Sequence, residues 1–218
     1  MTEINSLAII AGQGDLPITL FAACKKQGIE PFLLLLKGEA DIDKYQDINN
    51  KEVINIGFVG KALDFLKRNK VENIVMAGGV KRPLLSSLKV DMVGAKLVSK
   101  ILYNKFLGDD KLLRIVAEFF ESYGFNILAP QKIIDNLLSL EGCLTNNKPS
   151  KQHMIDIEIG YNTARKIGEL DIGQAVIIEH GAVLGVEAAE CTDNLVARCA
   201  GLSRMENSAI LVKTRKPQ

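Results

Sequence analysis

Two short apolar runs, each ending in a glycine loop, constrain this chain more than any other feature. Leu7–Ala11 (Leu-Ala-Ile-Ile-Ala) enters Gly12-Gln13-Gly14-Asp15-Leu16-Pro17, and the run over 71–77 enters Gly78-Gly79-Val80-Lys81-Arg82-Pro83. Runs that are apolar at every position suit strands buried on both faces, as in a parallel sheet. A helical pattern over 18–27 follows the first loop, Gly28-Ile29 stops it, and 31–36 reads as a second buried strand. Strand, glycine loop, helix, strand is the order of a parallel sheet with crossover helices.

The same alternation continues. A weaker strand is predicted over 51–56, a helix over 58–69 with Phe58, Ala62, Phe65 and Leu66 on one face, and a helix over 86–106. Gly108-Asp109-Asp110 breaks that helix, and either aspartate can cap the next one, over 111–123, which Gly124 stops. A strand over 125–129 closes this half, and Pro130 marks a boundary. The segment 141–152 is polar and loop-like. Beyond it come a helix over 154–170, strands over 175–178 and Ala182–Val186, a helix over 194–200 capped by Thr192 or Asp193, and a strand at Ile210–Lys213. The 218 residues suit one large domain or two small ones.

Several classes are excluded. Lys and Arg number 27 against 26 Asp and Glu, so a nucleic-acid binder relying on bulk positive charge is not expected. No apolar run approaches the roughly 20 residues of a bilayer span, and Met1-Thr2-Glu3-Ile4-Asn5 lacks the basic start of a secretory leader. The four cysteines, Cys24, Cys143, Cys191 and Cys199, have no CxxC spacing and read as reduced thiols of a cytoplasmic protein. His153 and His180 form no metal motif, and no Ser/His/Asp or Cys/His arrangement is present.

Two constellations could carry chemistry. Glycine lets backbone amides approach an anion, and ligands of open α/β sheets bind beyond the carboxyl ends of the strands. Gly12, Gln13, Gly14, Leu16 and Pro17, with Gly78, Gly79 and Val80, are therefore candidates for binding, and Lys81 and Arg82 add charge suited to phosphate. The first loop is neither GxGxxG nor GxxxxGK[ST], and a tight strand-to-helix turn with no ligand is an equal reading of it. The second constellation is acidic. Asp109, Asp110, Glu187, Glu190 and Asp193 are hard oxygen donors of the kind that hold Mg²⁺ or Mn²⁺ on a phosphate ester, although helix capping also accounts for Asp109, Asp110 and Asp193. Glu187 ends an apolar strand, where a charge is partly desolvated.

Five segments in order, Ile10-Ala-Gly-Gln-Gly-Asp-Leu-Pro17, Gly78-Gly-Val-Lys-Arg-Pro83, Gly108-Asp-Asp-Lys-Leu-Leu-Arg114, Leu170-Asp-Ile-Gly-Gln174 and Val186-Glu-Ala-Ala-Glu-Cys-Thr-Asp193, resemble the LpxI-type UDP-2,3-diacylglucosamine pyrophosphatases of the lipid A pathway. The resemblance implies an α/β protein with a Rossmann-like domain over 1–129 and a smaller α/β domain over 130–218. It implies hydrolysis of UDP-2,3-diacylglucosamine to UMP and 2,3-diacylglucosamine 1-phosphate with Mg²⁺, in a cytoplasmic homodimer meeting its lipid at the inner membrane surface. On that basis Asp109, Asp110 and Gln174 are expected to be catalytic, and Glu187 and Asp110 to bind metal. The acyl chains are expected in an apolar cleft.

Two departures stand out. Cys191 replaces the family's usual glycine. Family members also continue past Gln218 into a segment carrying their principal catalytic aspartate, so the second domain is expected to be incomplete. The alternatives are a non-hydrolysing UDP-sugar binder of the same fold and a dehydrogenase or nucleotide-sugar transferase, the latter disfavoured by the loop spacing at Gln13 and Pro17.

Overall fold

The computed structural model describes residues 6–84, 87–103, 108–134, 137–204 and 208–215, with the side chains of Asp109 and Asp110 also outside the described set. Five strands, β1 (Leu7–Ala11), β2 (Phe32–Leu36), β3 (Lys51–Ile54), β4 (Asn73–Ala77) and β5 (Asn126–Leu128), pair in parallel in the order β3-β2-β1-β4-β5. Residues of both parities in β1 are buried, as are Leu33, Leu34 and Leu35 of β2, so both faces of the sheet are covered. This explains why the runs are apolar at every position rather than alternating. Truncating any of these leucines to alanine costs about 2–5 kcal/mol. The order is that of a Rossmann-like doubly wound sheet.

Local chemistry sets the helix starts. Helix α1 (Leu16–Lys26) begins two residues before the predicted 18, because Pro17 occupies a first-turn position where no amide hydrogen is required. Helix α2 spans Val59–Arg68. Helix α3 (Met92–Tyr103) is shorter than the predicted 86–106, whose ends, Ser86 and Phe106, lie outside the described residues. Its start is decided by Asp91. One carboxylate oxygen accepts from Gly94 N in α3 at 2.7 Å, while the other accepts from Gly60 N at 2.7 Å and Lys61 N at 3.3 Å in α2. A single side chain thus caps two helices.

Helix α4 (Asp109–Glu121) begins at Asp109 itself, so Asp109 and Asp110 stand in the first turn rather than at the cap, with Gly108 before them. Short 3-10 turns at Ile42–Tyr45 and Pro130–Lys132 have no apolar period to betray them.

The chain divides into two compact units, Met1–Phe106 with Leu112–Ser139, and Leu107–Lys111 with Leu140–Gln218. Residues 130–139, placed with the second domain by the proline boundary, belong to the first. Ile133 is buried in the core with Leu7, Ile9 and Leu35, and its carbonyl accepts from Gln27 Nε2 at 2.7 Å.

In the second unit, β6 (Ala175–Glu179) lies between β7 (Ala182–Val186) and β8 (Ile210–Lys213) in an antiparallel sheet. Helix α5 (Lys151–Glu169) starts at a capping box between Ser150 and His153, three residues ahead of the predicted start. Ala164 of α5 packs with Val176 and Ile178, while Leu195 and Cys199 of α6 (Cys191–Ala200) pack with Ala175 and Ile177. The predicted caps Thr192 and Asp193 lie inside the first turn of α6, where Glu190 takes the capping position.

Candidate active site

The strand order creates a switch point. From β1 the chain proceeds to β2 on one side, and from β4 to β5 on the other, so β1 and β4 are neighbours whose outgoing loops diverge. The register pairs Ala11 with Ala77, so Gly12 and Gly78 leave the sheet side by side. The two loops are then stitched together. Gly12 N donates to Ala77 O at 2.8 Å, Gln13 N to Gly79 O at 2.7 Å and Gly79 N to Gln13 O at 3.0 Å.

This contact explains the glycines locally. A Cβ on Gly12 would lie against the Gly79 carbonyl, and one on Gly78 (φ +89°) would stand 2.5 Å from Gln13 O. The amides of Gln13 and Gly79 are thereby spent on each other. Leu16 and Ile18 stand in the first turn of α1, where amides lack intrahelical acceptors and negative charge is favoured.

Polar side chains gather around the stitched loops. Glu39, just beyond β2, accepts from Gln13 Nε2 at 2.8 Å and from Lys81 N at 3.1 Å, both through Oε2. Sequence inspection misses Glu39; the signal available was an acid shortly after the second strand of a strand–glycine loop–helix–strand unit. Asp15 does not cap α1 with its side chain. It accepts from Lys44 Nζ at 2.6 Å, and that bond holds its carboxyl below the ordinary range. Val80, Lys81, Arg82 and Gly14 are exposed, Gln13 and Leu16 half-buried, and Gly12 and Pro17 buried.

In the second unit three separate segments meet. Asp171 lies against Gly108, leaving no room for a Cβ there, and Gly173 lies against the Glu187 backbone in the same way. Glu187, 6% exposed, accepts from Gln174 N at 2.8 Å through one oxygen and from the Thr192 hydroxyl through the other; Thr192 in turn accepts from Lys213 Nζ at 2.8 Å. The main chain of Gln174 is held on both sides, since its carbonyl accepts from Thr214 N at 2.9 Å. Glu190 pairs with Arg198 at 2.8 Å, and Asp193 is exposed.

Comparison with known proteins decides the family. The description "LpxI N-terminal domain" matches residues 6–137 and "LpxI C-terminal domain" matches 140–218. This chain belongs to the LpxI family. A relative from Caulobacter vibrioides, UDP-2,3-diacylglucosamine pyrophosphatase LpxI, is 34% identical over 222 residues, covering 98% of this chain and 78% of its own length. In this LpxI-family chain the gap between the two family domains, at residues 137 to 140, spans the Ser139–Leu140 division of the compact units, whereas Leu107–Lys111 lies within the N-terminal family match and packs with the second unit. Of the motif segments, 10–17 and 78–83 form the switch-point edge of the first unit, while Gly108, 170–174 and 186–193 come together in the second.

The fit of a divalent cation can be judged from the donors. Mg²⁺ takes about six oxygen ligands in near-octahedral array. Among the described residues no three His, Cys, Asp or Glu side chains converge on one point. Both Glu187 oxygens already accept hydrogen bonds, and the side chains of Asp109 and Asp110 lie outside the described residues. The described side chains therefore do not fit a resident cation held in an all-protein cage.

Proposed function

We propose that this chain hydrolyses the pyrophosphate of UDP-2,3-diacylglucosamine to UMP and 2,3-diacylglucosamine 1-phosphate. The observation that carries this reading is the 34% identity, across 98% of the chain, to a relative named for that activity. The stitched loops at the switch point are in keeping with it: Gly12, Gln13, Gly14, Leu16, Pro17, Gly78, Gly79 and Val80 would carry the nucleotide, and exposed Lys81 and Arg82 offer charge suited to its pyrophosphate. Charge on a pyrophosphate is met by positioned donors and cations more than by a protein nucleophile, in keeping with the absence of a triad motif.

In this reading Asp109 and Asp110 orient and deprotonate the attacking water. Gln174 offers its side-chain amide to a phosphate oxygen, and Glu187 acts as a positioning residue by accepting from the main-chain N–H of Gln174. Mg²⁺ or Mn²⁺ belongs to the same proposal, since a divalent cation neutralises pyrophosphate charge. So do a homodimer and a place at the cytoplasmic face of the inner membrane, where a diacyl substrate resides. Among the described residues no helix is long and apolar enough to cross a membrane.

UMP release from UDP-2,3-diacylglucosamine, followed with and without EDTA, is the test. Turnover that EDTA abolishes and Mg²⁺ restores is expected. Metal-independent turnover removes the cation from the proposal, and binding of the UDP-sugar without turnover removes the hydrolysis. The non-hydrolysing alternative draws no support from the comparisons.

A further inference from the structure

The carboxylate of Glu39 is half used. Its Oε2 accepts both the Gln13 side-chain amide and the Lys81 main-chain amide, while Oε1 accepts no hydrogen bond among the described residues. One oxygen therefore suffices to tie β2's outgoing loop to the two stitched glycine loops. The other remains on a half-buried side chain at the carboxyl edge of the sheet.

The placement of this side chain points to its ligand. In a doubly wound sheet the nucleotide lies across the end of β1, and an acid at the end of β2, about 20 residues past the glycine turn, faces the ribose. Glu39 follows Gly14 by 39 − 14 = 25 residues and sits three residues beyond the end of β2 at Leu36. A carboxylate is an acceptor-only group, matched to the hydroxyl donors of a ribose and to nothing on a pyrophosphate, which it would repel.

We infer that Glu39 is the nucleoside-recognition residue of this edge, its Oε1 accepting from a ribose hydroxyl while Oε2 keeps the Gln13 and Lys81 amides in place. The assignment rests on the nucleotide reading of the switch point, and it deepens that reading by making the site selective for a ribonucleotide. The bond is charge-assisted, so its loss is expected to cost about 10- to 100-fold in apparent affinity. The effect falls on KM, because the ribose is unchanged in the reaction. Loop tethering through Oε2 has a different signature, since loosened loops weaken ribo- and deoxyribonucleotides alike.

The experiment compares UDP-2,3-diacylglucosamine with its 2′-deoxyuridine and 3′-deoxyuridine analogues, using the full chain and its Glu39→Gln variant. Wild-type protein is expected to prefer the ribonucleotide by about tenfold or more over at least one analogue, with the difference in KM. Glu39→Gln is expected to reduce that preference to near unity. Equal KM for all three nucleosides in the wild type overturns the inference whether or not the variant folds. A variant that retains the preference, or that loses ribo- and deoxyribonucleotide in parallel, overturns it as well. In each of these cases hydrolysis by the wild type persists and the functional reading stands, whereas absence of hydrolysis of every form sinks both together.

Discussion

Acidic residues at the sheet edge of the first unit and in the interior of the second do opposite work. In the first, Glu39 and Asp15 sit at the carboxyl edge of the parallel sheet, half-buried and exposed respectively, and each meets only one or two donors. In the second, Asp156, Glu179 and Glu187 are 1%, 6% and 6% exposed, and each accepts hydrogen bonds through both carboxylate oxygens. Asp156 accepts from His180 N at 3.0 Å, Gly181 N at 2.8 Å and Gln152 Nε2 at 3.1 Å, thereby fastening the β6–β7 turn to α5. Glu179 accepts from Ser203 Oγ at 2.6 Å, Arg204 N at 3.1 Å and Ser208 Oγ at 2.5 Å, gathering the connection between α6 and β8.

The difference teaches that a buried acid is not by itself a sign of catalysis. A unit of this size has a small apolar core, and carboxylates bonded to loop amides define its turns where packing alone does not. The exposed or half-used acid is the one with chemistry left to do.

The contrast is open to direct attack. Replacing Asp156 with alanine strands two turn amides and is expected to lower stability by about 3 kcal/mol, read from the urea midpoint. Glu39→Gln, which keeps an acceptor at the loop, is expected to cost under about 1 kcal/mol in the same assay. Comparable losses in the two variants would break the distinction between scaffold and site acids.

Turns sharpen the comparison further. In the first unit the left-handed positions of the site loops are glycines, Gly14 at φ +87° and Gly78 at +89°, whereas the second unit places His180 at +47° and Cys191 at +68°. His180 is held with Gly181 by Asp156 in a two-residue hairpin turn. Cys191 lacks such an anchor, its amide reaching Ala188 O only at 3.4 Å. Cys191→Gly is therefore expected to stabilise the protein by about 1 kcal/mol, raising the thermal midpoint by about 2–4 °C; no gain would show that the turn is not strained.

The smallest effect belongs to Asp15. Its carboxyl is held below the ordinary value of 3.8 in the folded protein by Lys44, so the pair stabilises above the unfolded pKa and loses that contribution as pH falls through the depressed folded value. The stability difference between wild type and Asp15→Asn is expected to shrink on titrating from pH about 5 toward pH about 2. Both groups are exposed, so salt should diminish the difference as well. A gap that persists in acid would assign the effect to something other than this pair.

Much of the first unit was legible in sequence because its signals are local. An apolar run long enough for one strand, a glycine loop and a helical period suffice to place β1, α1, β2 and β4. The family resemblance read from five short segments is matched by both domain comparisons over 6–137 and 140–218. Glu187 follows an apolar strand and is buried, but the Gln174 main-chain amide and the Thr192 hydroxyl engage both of its oxygens.

Other features were hidden by their dependence on distant residues. Asp91 looks like any loop aspartate until α2 and α3 present their first amides to it together. Residues 130–139 look like the start of a new domain until Ile133 enters the first core.

The order of strands, loops and helices, and thereby the α/β class, was written in the sequence alone, since periodicity and glycine placement act over a few residues. Which loops touch was decided only in three dimensions. The register of β1 on β4 places Gly12 beside Gly78, and β2's position on the other side of β1 brings Glu39 to both. Those contacts join residues 26 and 42 positions apart. No local pattern encodes them, because they exist only once the hydrogen-bonded sheet has fixed which strand ends are neighbours.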